Sequence, residues 1–375
     1  MPLIYLDNNA TTRLDKRVLD AMLPFFTEQY ANAGSSHIFG LTIKEAVENA
    51  QQQVADLISV RPAEIVFTSG ATESINLAIK GFGNNSRKHI VTVATEHRAV
   101  LDTSAYMENQ GFSITYLPVN RYGLIDLEEL KANVTDETLL VCIMLANNET
   151  GILQPIKEIA DIAHSKGALL LCDATQAVGK IPVDVNGLGI DLMPFSAHKF
   201  YGPKGVGGLF VSSKIRKLLS PEIHGGGQQR NLRSGTLNVS GIIGLGKASE
   251  IALADMQNDA LRIRALRNRL ETELLKIEGS FINGTIELRL PNTTNICFPG
   301  VSSEKLIIGL QNIAVSSGSA CSAATTEPSH VLIAMGLSDA DALASIRFSL
   351  GRFTTTEEID ITIEKVSQLV KRIRQ

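Results

Sequence analysis

Lys199 stands in the run Ser196-Ala-His-Lys-Phe-Tyr-Gly-Pro-Lys-Gly, between small residues and a glycine turn. Its amine is a candidate for Schiff-base chemistry, which needs the neutral form. A lysine with an ordinary pKa of about 10.4 holds very little of that form at pH 7, so the surroundings must desolvate it or crowd it with cations. His198 and Lys204 are close in sequence, and sequence leaves their closeness in space open, as it leaves open a plain solvated lysine. Asp173 closes the apolar run Ala-Leu-Leu-Leu-Cys, where a carboxylate is costly unless something cationic or hydrogen-bonding meets it. A helix cap or surface turn would satisfy it; a pyridinium N–H would do so productively, because a retained ring proton keeps a cofactor an electron sink.

The run Glu64-Ile-Val-Phe-Thr-Ser-Gly-Ala-Thr-Glu-Ser leads from a buried strand through small residues into a helix over 73–80. Such a turn aims free N–H groups of a first helical turn at one point, with the Thr72 hydroxyl beside them, and suits a phosphate dianion or serves as a plain cap. With one glycine it fits neither G-x-G-x-x-G nor G-x-x-x-x-G-K-[ST]. Of the four cysteines, Cys142, Cys172 and Cys297 lie in apolar runs and read as small hydrophobes. Cys321, in Ser-Ser-Gly-Ser-Ala-Cys-Ser-Ala-Ala-Thr-Thr-Glu-Pro, has few packing neighbours and turn residues at both ends, which suits either a loop that moves or a small residue in a tight turn. An ordinary thiol is only a few per cent thiolate at pH 7, so a reactive one needs help to deprotonate. His97, in Val-Ala-Thr-Glu-His, is a candidate helper or an ordinary loop histidine. Arg347, in Ser-Ile-Arg-Phe-Ser, is a two-toothed carboxylate donor or a surface ion-pair partner.

Apolar runs over 64–68, 89–94, 139–145, 168–172 and 207–211 read as strands alternating with amphipathic stretches. That alternation implies an α/β fold with a mostly parallel sheet under helices, whose ligands gather at the C-terminal ends of the strands. Beyond them Met256, Ala260, Ile263, Leu266, Leu270, Leu274 and Ile277 recur every three or four residues, a long amphipathic helix that leads to a smaller C-terminal domain.

In order along nearly the whole chain, Tyr5-Leu-Asp-Asn-Asn-Ala-Thr-Thr, Thr68-Ser-Gly-Ala-Thr-Glu-Ser, Asp173-Ala-Thr-Gln, Ser196-Ala-His-Lys-Phe-Tyr-Gly-Pro-Lys-Gly, Arg233-Ser-Gly-Thr and Ser316-Ser-Gly-Ser-Ala-Cys resemble the NifS/IscS-type cysteine desulfurases of the class V aminotransferase family. The resemblance implies the aspartate aminotransferase (PLP-dependent transferase-like) fold. Its large mixed-sheet domain would span 16–256; a smaller α+β domain, built from 1–15 and 257–375, would carry Cys321. It implies pyridoxal 5'-phosphate bound through Lys199, with Asp173 on the pyridine nitrogen and Gln176 on the ring hydroxyl. The phosphate would be held by Ala71, Thr72, Ser196, His198 and, from a second subunit of a homodimer, Thr236. His97 would stack over the ring and relay protons, Asn148 would lie beside ring and substrate, and Arg347 would bind the substrate carboxylate. The implied reaction turns L-cysteine into L-alanine and leaves its sulfur on Cys321 as a persulfide, for a scaffold or carrier protein in iron–sulfur cluster assembly or for other acceptors. No metal site is implied beyond transient iron–sulfur ligation by Cys321. A selenocysteine lyase, or another class V aminotransferase-like enzyme, would share Lys199, Asp173 and the phosphate cradle. A cofactor-free persulfide carrier using Cys321 would leave Lys199 and Asp173 without a purpose. Better-known members that feed cluster scaffolds dock through a longer C-terminal extension, whereas here a basic helix runs to Gln375.

With 375 residues, 44% of them hydrophobic and 20% charged, the chain can bury the core of two domains. A net charge of -4 and no dense Lys/Arg run argue against nucleic-acid partners. The N-terminus lacks a basic stretch followed by an apolar one, and no apolar run approaches the roughly 18 residues of a membrane span, so a cytoplasmic protein without membrane contact is expected.

Overall fold

The computed structural model describes residues 3–83, 85–317 and 327–375. A seven-stranded sheet runs in the order Ile65–Thr68, Gly207–Val211, Leu192–Ser196, Leu169–Leu171, Thr138–Cys142, His89–Val93, Ser113–Leu117. Neighbours are parallel except at Gly207–Val211, which runs against both of its own. Four of the strands, Ile65–Thr68, Thr138–Cys142, Leu192–Ser196 and Gly207–Val211, are buried at every position, which is why they are written as unbroken apolar runs.

All five runs read from sequence are strands, with ends moved by at most three residues and 207–211 unmoved. Gly207–Val211 is the strand that makes the sheet mixed, as a mostly parallel sheet allows. Between that strand and Leu192–Ser196 lie ten residues, 197–206, which hold the short turn Ala197–Lys199 and no crossover helix, and an antiparallel neighbour needs none. Ser113–Leu117, at the sheet edge, is mostly solvated and lacks the apolar run that would have marked it.

The long helix is Val239–Leu274, 36 residues, and begins well before the periodic stretch. Its first half contains Gly241, Gly244 and Gly246, which interrupt an apolar pattern but serve packing: a Cβ on Gly246 would lie 2.6 Å from the Ala50 Cα of helix Ile38–Leu57. Ile242, Leu245, Ala248, Ile251 and Ala252 join the core of the sheet. Ile263, Leu266, Leu270 and Leu274 of the same helix join a second core with Ile4, Leu6, Ile296, Phe298, Ile346 and Phe348. That core backs an antiparallel sheet, Ser345–Ser349, Thr293–Cys297, Phe281–Ile282, and the helix Thr356–Arg374, which opens with a Thr355/Glu358 capping box. One rigid helix therefore ties both cores together, while the segment after Leu6 crosses from the second core to the strand ends of the first. Among the described residues no helix is long and apolar enough to cross a membrane.

Candidate active site

The loops leaving the C-terminal ends of the strands open into a cavity of about 940 Å³, within the range of cofactor sites. Ala71, Thr72, His97, Asn148, Asp173 and Gln176 all line it, as do Ser196, His198 and Lys199, so the strand-end rule gathers residues up to 128 positions apart (71 to 199), while Arg347 reaches the same cavity from the second sheet. Thr236 is exposed and outside this lining.

Lys199 ends the turn that follows strand Leu192–Ser196. Its Nζ donates to the carbonyl oxygens of Asn9 (2.6 Å) and Ala10 (2.9 Å). Two residues on, Tyr201 has φ +69°, an uncommon conformation for a bulky side chain. It is over-determined: its N–H donates to Thr12 Oγ1 at 2.7 Å, its hydroxyl accepts from Arg352 N at 2.6 Å, and the Arg352 guanidinium lies over its ring. The turn presenting Lys199 is thereby held at its far end. Lys204 also lines the cavity. Burial, then the charges of Lys199, Lys204 and Lys180, hold the His198 imidazole down to about 4, so it is neutral at pH 7. Its Nδ1 meets Thr11 Oγ1 at 3.1 Å.

Helix Ala71–Lys80 starts at Gly70 without a side-chain cap. Among the described residues no acceptor meets the N–H groups of Ala71, Thr72 and Glu73, which leaves three donors at the cavity wall that an anion would satisfy.

Asp173 is 6% exposed and accepts from Thr175 N at 2.9 Å. Gln176 donates through Nε2 to Asn9 O at 2.9 Å. His97 caps helix Arg98–Glu108, its Nδ1 accepting from Ala99 N at 3.0 Å. Burial lowers its pKa, against the pull of Asp173, so the ring is neutral and carries its proton on Nε2. Arg347, on Ser345–Ser349, is 2% exposed; Nη1 donates to Asn148 O at 3.0 Å and Nη2 to Asp7 Oδ1 at 2.6 Å. Arg347 Nε, Asn148 Oδ1 and Thr175 Oγ1 are buried without a hydrogen-bond partner among the described residues. Orphans of this kind call for a ligand, and these fit a polar ring with an anionic arm.

Cys142, Cys172 and Cys297 are buried, outside the cavity lining, and burial pushes all three thiols up, Cys297 to about 12. They are inert, as their apolar settings suggested. Cys321 lies outside the described residues. Among the described residues no cluster of His, Cys, Asp and Glu is arranged to hold a metal.

Several wall residues carried no sequence expectation. Asn9, 1% exposed, is the hub: its Nδ2 donates to Asn148 O and Thr293 Oγ1, and its Oδ1 accepts from Lys180 and Asn292. In the sequence it stood only within the run Tyr5-Leu-Asp-Asn-Asn-Ala-Thr-Thr, with no role of its own. Glu149 accepts from Ser329 Oγ, and burial raises its carboxyl. His330 Nε2 meets Glu96 O at 3.0 Å, and burial, with Asp173 adding to it, pushes the Glu96 carboxyl well above the usual carboxylate range.

The model of the aminotransferase class-V family matches residues 4–362. The chain is 51% identical over 377 aligned positions to a protein of Escherichia coli O139:H28 named cysteine desulfurase IscS, covering 99% of this chain and 93% of that one. Among solved structures, one titled NifS-like protein superposes with a TM-score of 0.93 at 40% identity, covering 99% of this chain and 100% of its own. SspA in complex with cysteine superposes with a TM-score of 0.83 at 35% identity, covering 94% and 100%.

Proposed function

This chain belongs to the aminotransferase class-V family, and from that premise we propose that it is a pyridoxal-phosphate-dependent cysteine desulfurase that converts L-cysteine to L-alanine and keeps the sulfur on Cys321 as a persulfide. The observation that carries the reading is the convergence of Lys199, Asp173 and Gln176 with the uncapped N-terminus of helix Ala71–Lys80 in one cavity. The 51% identity to a named cysteine desulfurase and the cysteine seen in SspA support the substrate.

Lys199 would hold the cofactor covalently, Asp173 would face the ring nitrogen and Gln176 the ring hydroxyl. Ala71, Thr72, Ser196 and His198 would hold the phosphate, with Thr236 of the partner subunit in a homodimer completing the cradle. When bound, the cofactor supplies a conjugated, electron-withdrawing ring joined to the substrate's amino group. Lys199 accepts the substrate's Cα proton on Nζ, its separation from the strand by one short turn keeping the amine at the cavity wall. Arg347 and Asn148 orient cysteine, the guanidinium taking the carboxylate. Neutral His97 can donate from Nε2 or accept there once that proton has left, which suits a relay between the substrate and the Cys321 thiol. In the net reaction the Cβ–S bond of cysteine breaks and an S–S bond to Cys321 Sγ forms. The carbon keeps the bonding electrons and gains a proton, becoming the methyl group of alanine. The persulfide then passes to an acceptor protein in the cytoplasm, for iron–sulfur cluster assembly or another use of sulfur.

The test is turnover of L-cysteine and L-selenocysteine by the purified holoprotein with a thiol reductant, read as alanine. Alanine formed from cysteine with an equal amount of sulfide is the expected result. Turnover of selenocysteine alone would make it a lyase and overturn the proposal.

A further inference from the structure

Lys180 has a buried amine beside the site and no part in the chemistry above. It sits at the end of the turn after Asp173, where Gly179, at φ +76°, comes so close to the residue after Lys199 that a Cβ there would lie 2.5 Å from the Phe200 Cβ. The Lys180 Nζ donates to Gln176 Oε1 at 2.6 Å and to Asn9 Oδ1 at 3.0 Å.

Burial, then the charges of Lys199 and Arg347, lowers the Lys180 amine well below the usual lysine range, and charged or neutral it has N–H donors for both oxygens that meet it. With that donation two side-chain amides are oriented. Gln176 is left with its NH2 end away from Lys180; one hydrogen goes to Asn9 O, the carbonyl that also receives Lys199 Nζ, and the other remains for the cavity that Gln176 lines. Asn9 is left with its NH2 on Asn148 O and Thr293 Oγ1. With no donor at Lys180, the Gln176 amide could turn over and offer the cavity an acceptor instead.

We propose that Lys180 is a positioning residue that fixes Gln176 as a donor toward the cofactor and, through Asn9, steadies the carbonyl on which Lys199 rests. The inference rests on the pyridoxal-phosphate reading and deepens it.

The test is a cycle of Lys180→Met, Gln176→Leu and the double variant, each purified with pyridoxal 5'-phosphate. The readout is the pH midpoint of the visible absorption band, with the melting temperature of each cofactor-free protein alongside. Lys180→Met should move the midpoint in the same direction as Gln176→Leu by about one pH unit, since one hydrogen bond is worth on the order of the free energy of one pKa unit. The double variant should move it no further than Gln176→Leu alone. An unmoved midpoint in Lys180→Met, or two shifts that simply add, would overturn the proposal, because a lysine that only stabilises the fold changes melting without coupling to Gln176. Should Lys180→Met not fold, Lys180→Leu, which likewise has no donor, is read against the same Gln176→Leu partner and judged the same way. A colourless parent protein would instead end the cofactor reading itself, which keeps the two failures apart.

Discussion

Lys199 Nζ rests 2.6 Å from the carbonyl oxygen of Asn9, a residue 190 positions away that stands three residues after Leu6 of the second core. The amine of one core is thus seated on the backbone of a segment anchored in the other. Lys199→Ala should abolish both visible absorption and alanine formation, the latter by at least ~10³-fold, as expected for loss of a covalent catalyst. Asn9→Ala should keep colour, because the carbonyl remains. It should lower stability by about 2–4 kcal/mol by stripping partners from buried Asn292, Thr293 and Lys180. Absorption spectra and urea melts separate the two effects, and a coloured Lys199→Ala protein would refute the assignment.

The Arg347 guanidinium is already oriented by Asp7 and Asn148, with Nε left over. Arg347→Lys keeps the charge and loses the planar fork. The KM for cysteine should rise roughly 10- to 100-fold, the equivalent of one charge-assisted hydrogen bond, with a smaller change in kcat. Steady-state alanine kinetics check this; an unchanged KM would place the carboxylate elsewhere.

His198 titrates at about 4 in the folded protein, against about 6.5 for a free histidine. Between those values the unfolded chain binds a proton that the folded one does not, so folding stability is full above pH 6.5 and falls as pH drops toward 4. After allowance for solvent screening the loss is on the order of 1–2 kcal/mol. His198→Gln should flatten this part of the profile in urea melts at pH 7 and 4.5; an equal acid loss in both proteins would contradict it.

Glu271 is the shared counter-ion of two buried arginines. Its Oε2 accepts from Arg289 Nη2 at 2.7 Å, its Oε1 accepts from Arg289 Nη1, and Arg267 Nε lies 3.9 Å away. Burial, then the charge of Arg289, already lowers Arg267 to about 10. Glu271→Gln should cost about 3–5 kcal/mol, because it leaves buried charge uncompensated. Replacing Glu271 and Arg289 together by leucine should recover part of that in the same denaturation assay.

What sequence could and could not give follows from the kind of signal each feature leaves. Lys199, Asp173 and the Gly70 turn sit at the ends of apolar strands, where a polar residue stands out. Their convergence then follows from strand direction alone. Gly207–Val211 has the same composition as a parallel strand, and only the short connection to Leu192–Ser196 reveals its reversal. The first half of helix Val239–Leu274 was hidden because Gly246 and its neighbours are small for the sake of a close helix contact, which local pattern cannot distinguish from a loop. Asn9, Lys180 and Glu149 were not found because their roles are relations between distant segments, and a lone Asn, Lys or Glu carries no periodic mark.

In the proposed reaction the sulfur of cysteine ends on one thiol of this chain. Incubating the purified, coloured protein with L-cysteine and no reductant, then digesting it and weighing the cysteine peptides, tests it most directly. One added sulfur atom on the Cys321 peptide is expected, with none on Cys142, Cys172 or Cys297, and Cys321→Ser should stay coloured and gain no sulfur. Added sulfur on a buried cysteine, or a Cys321 peptide of unchanged mass beside newly formed alanine, would contradict the account.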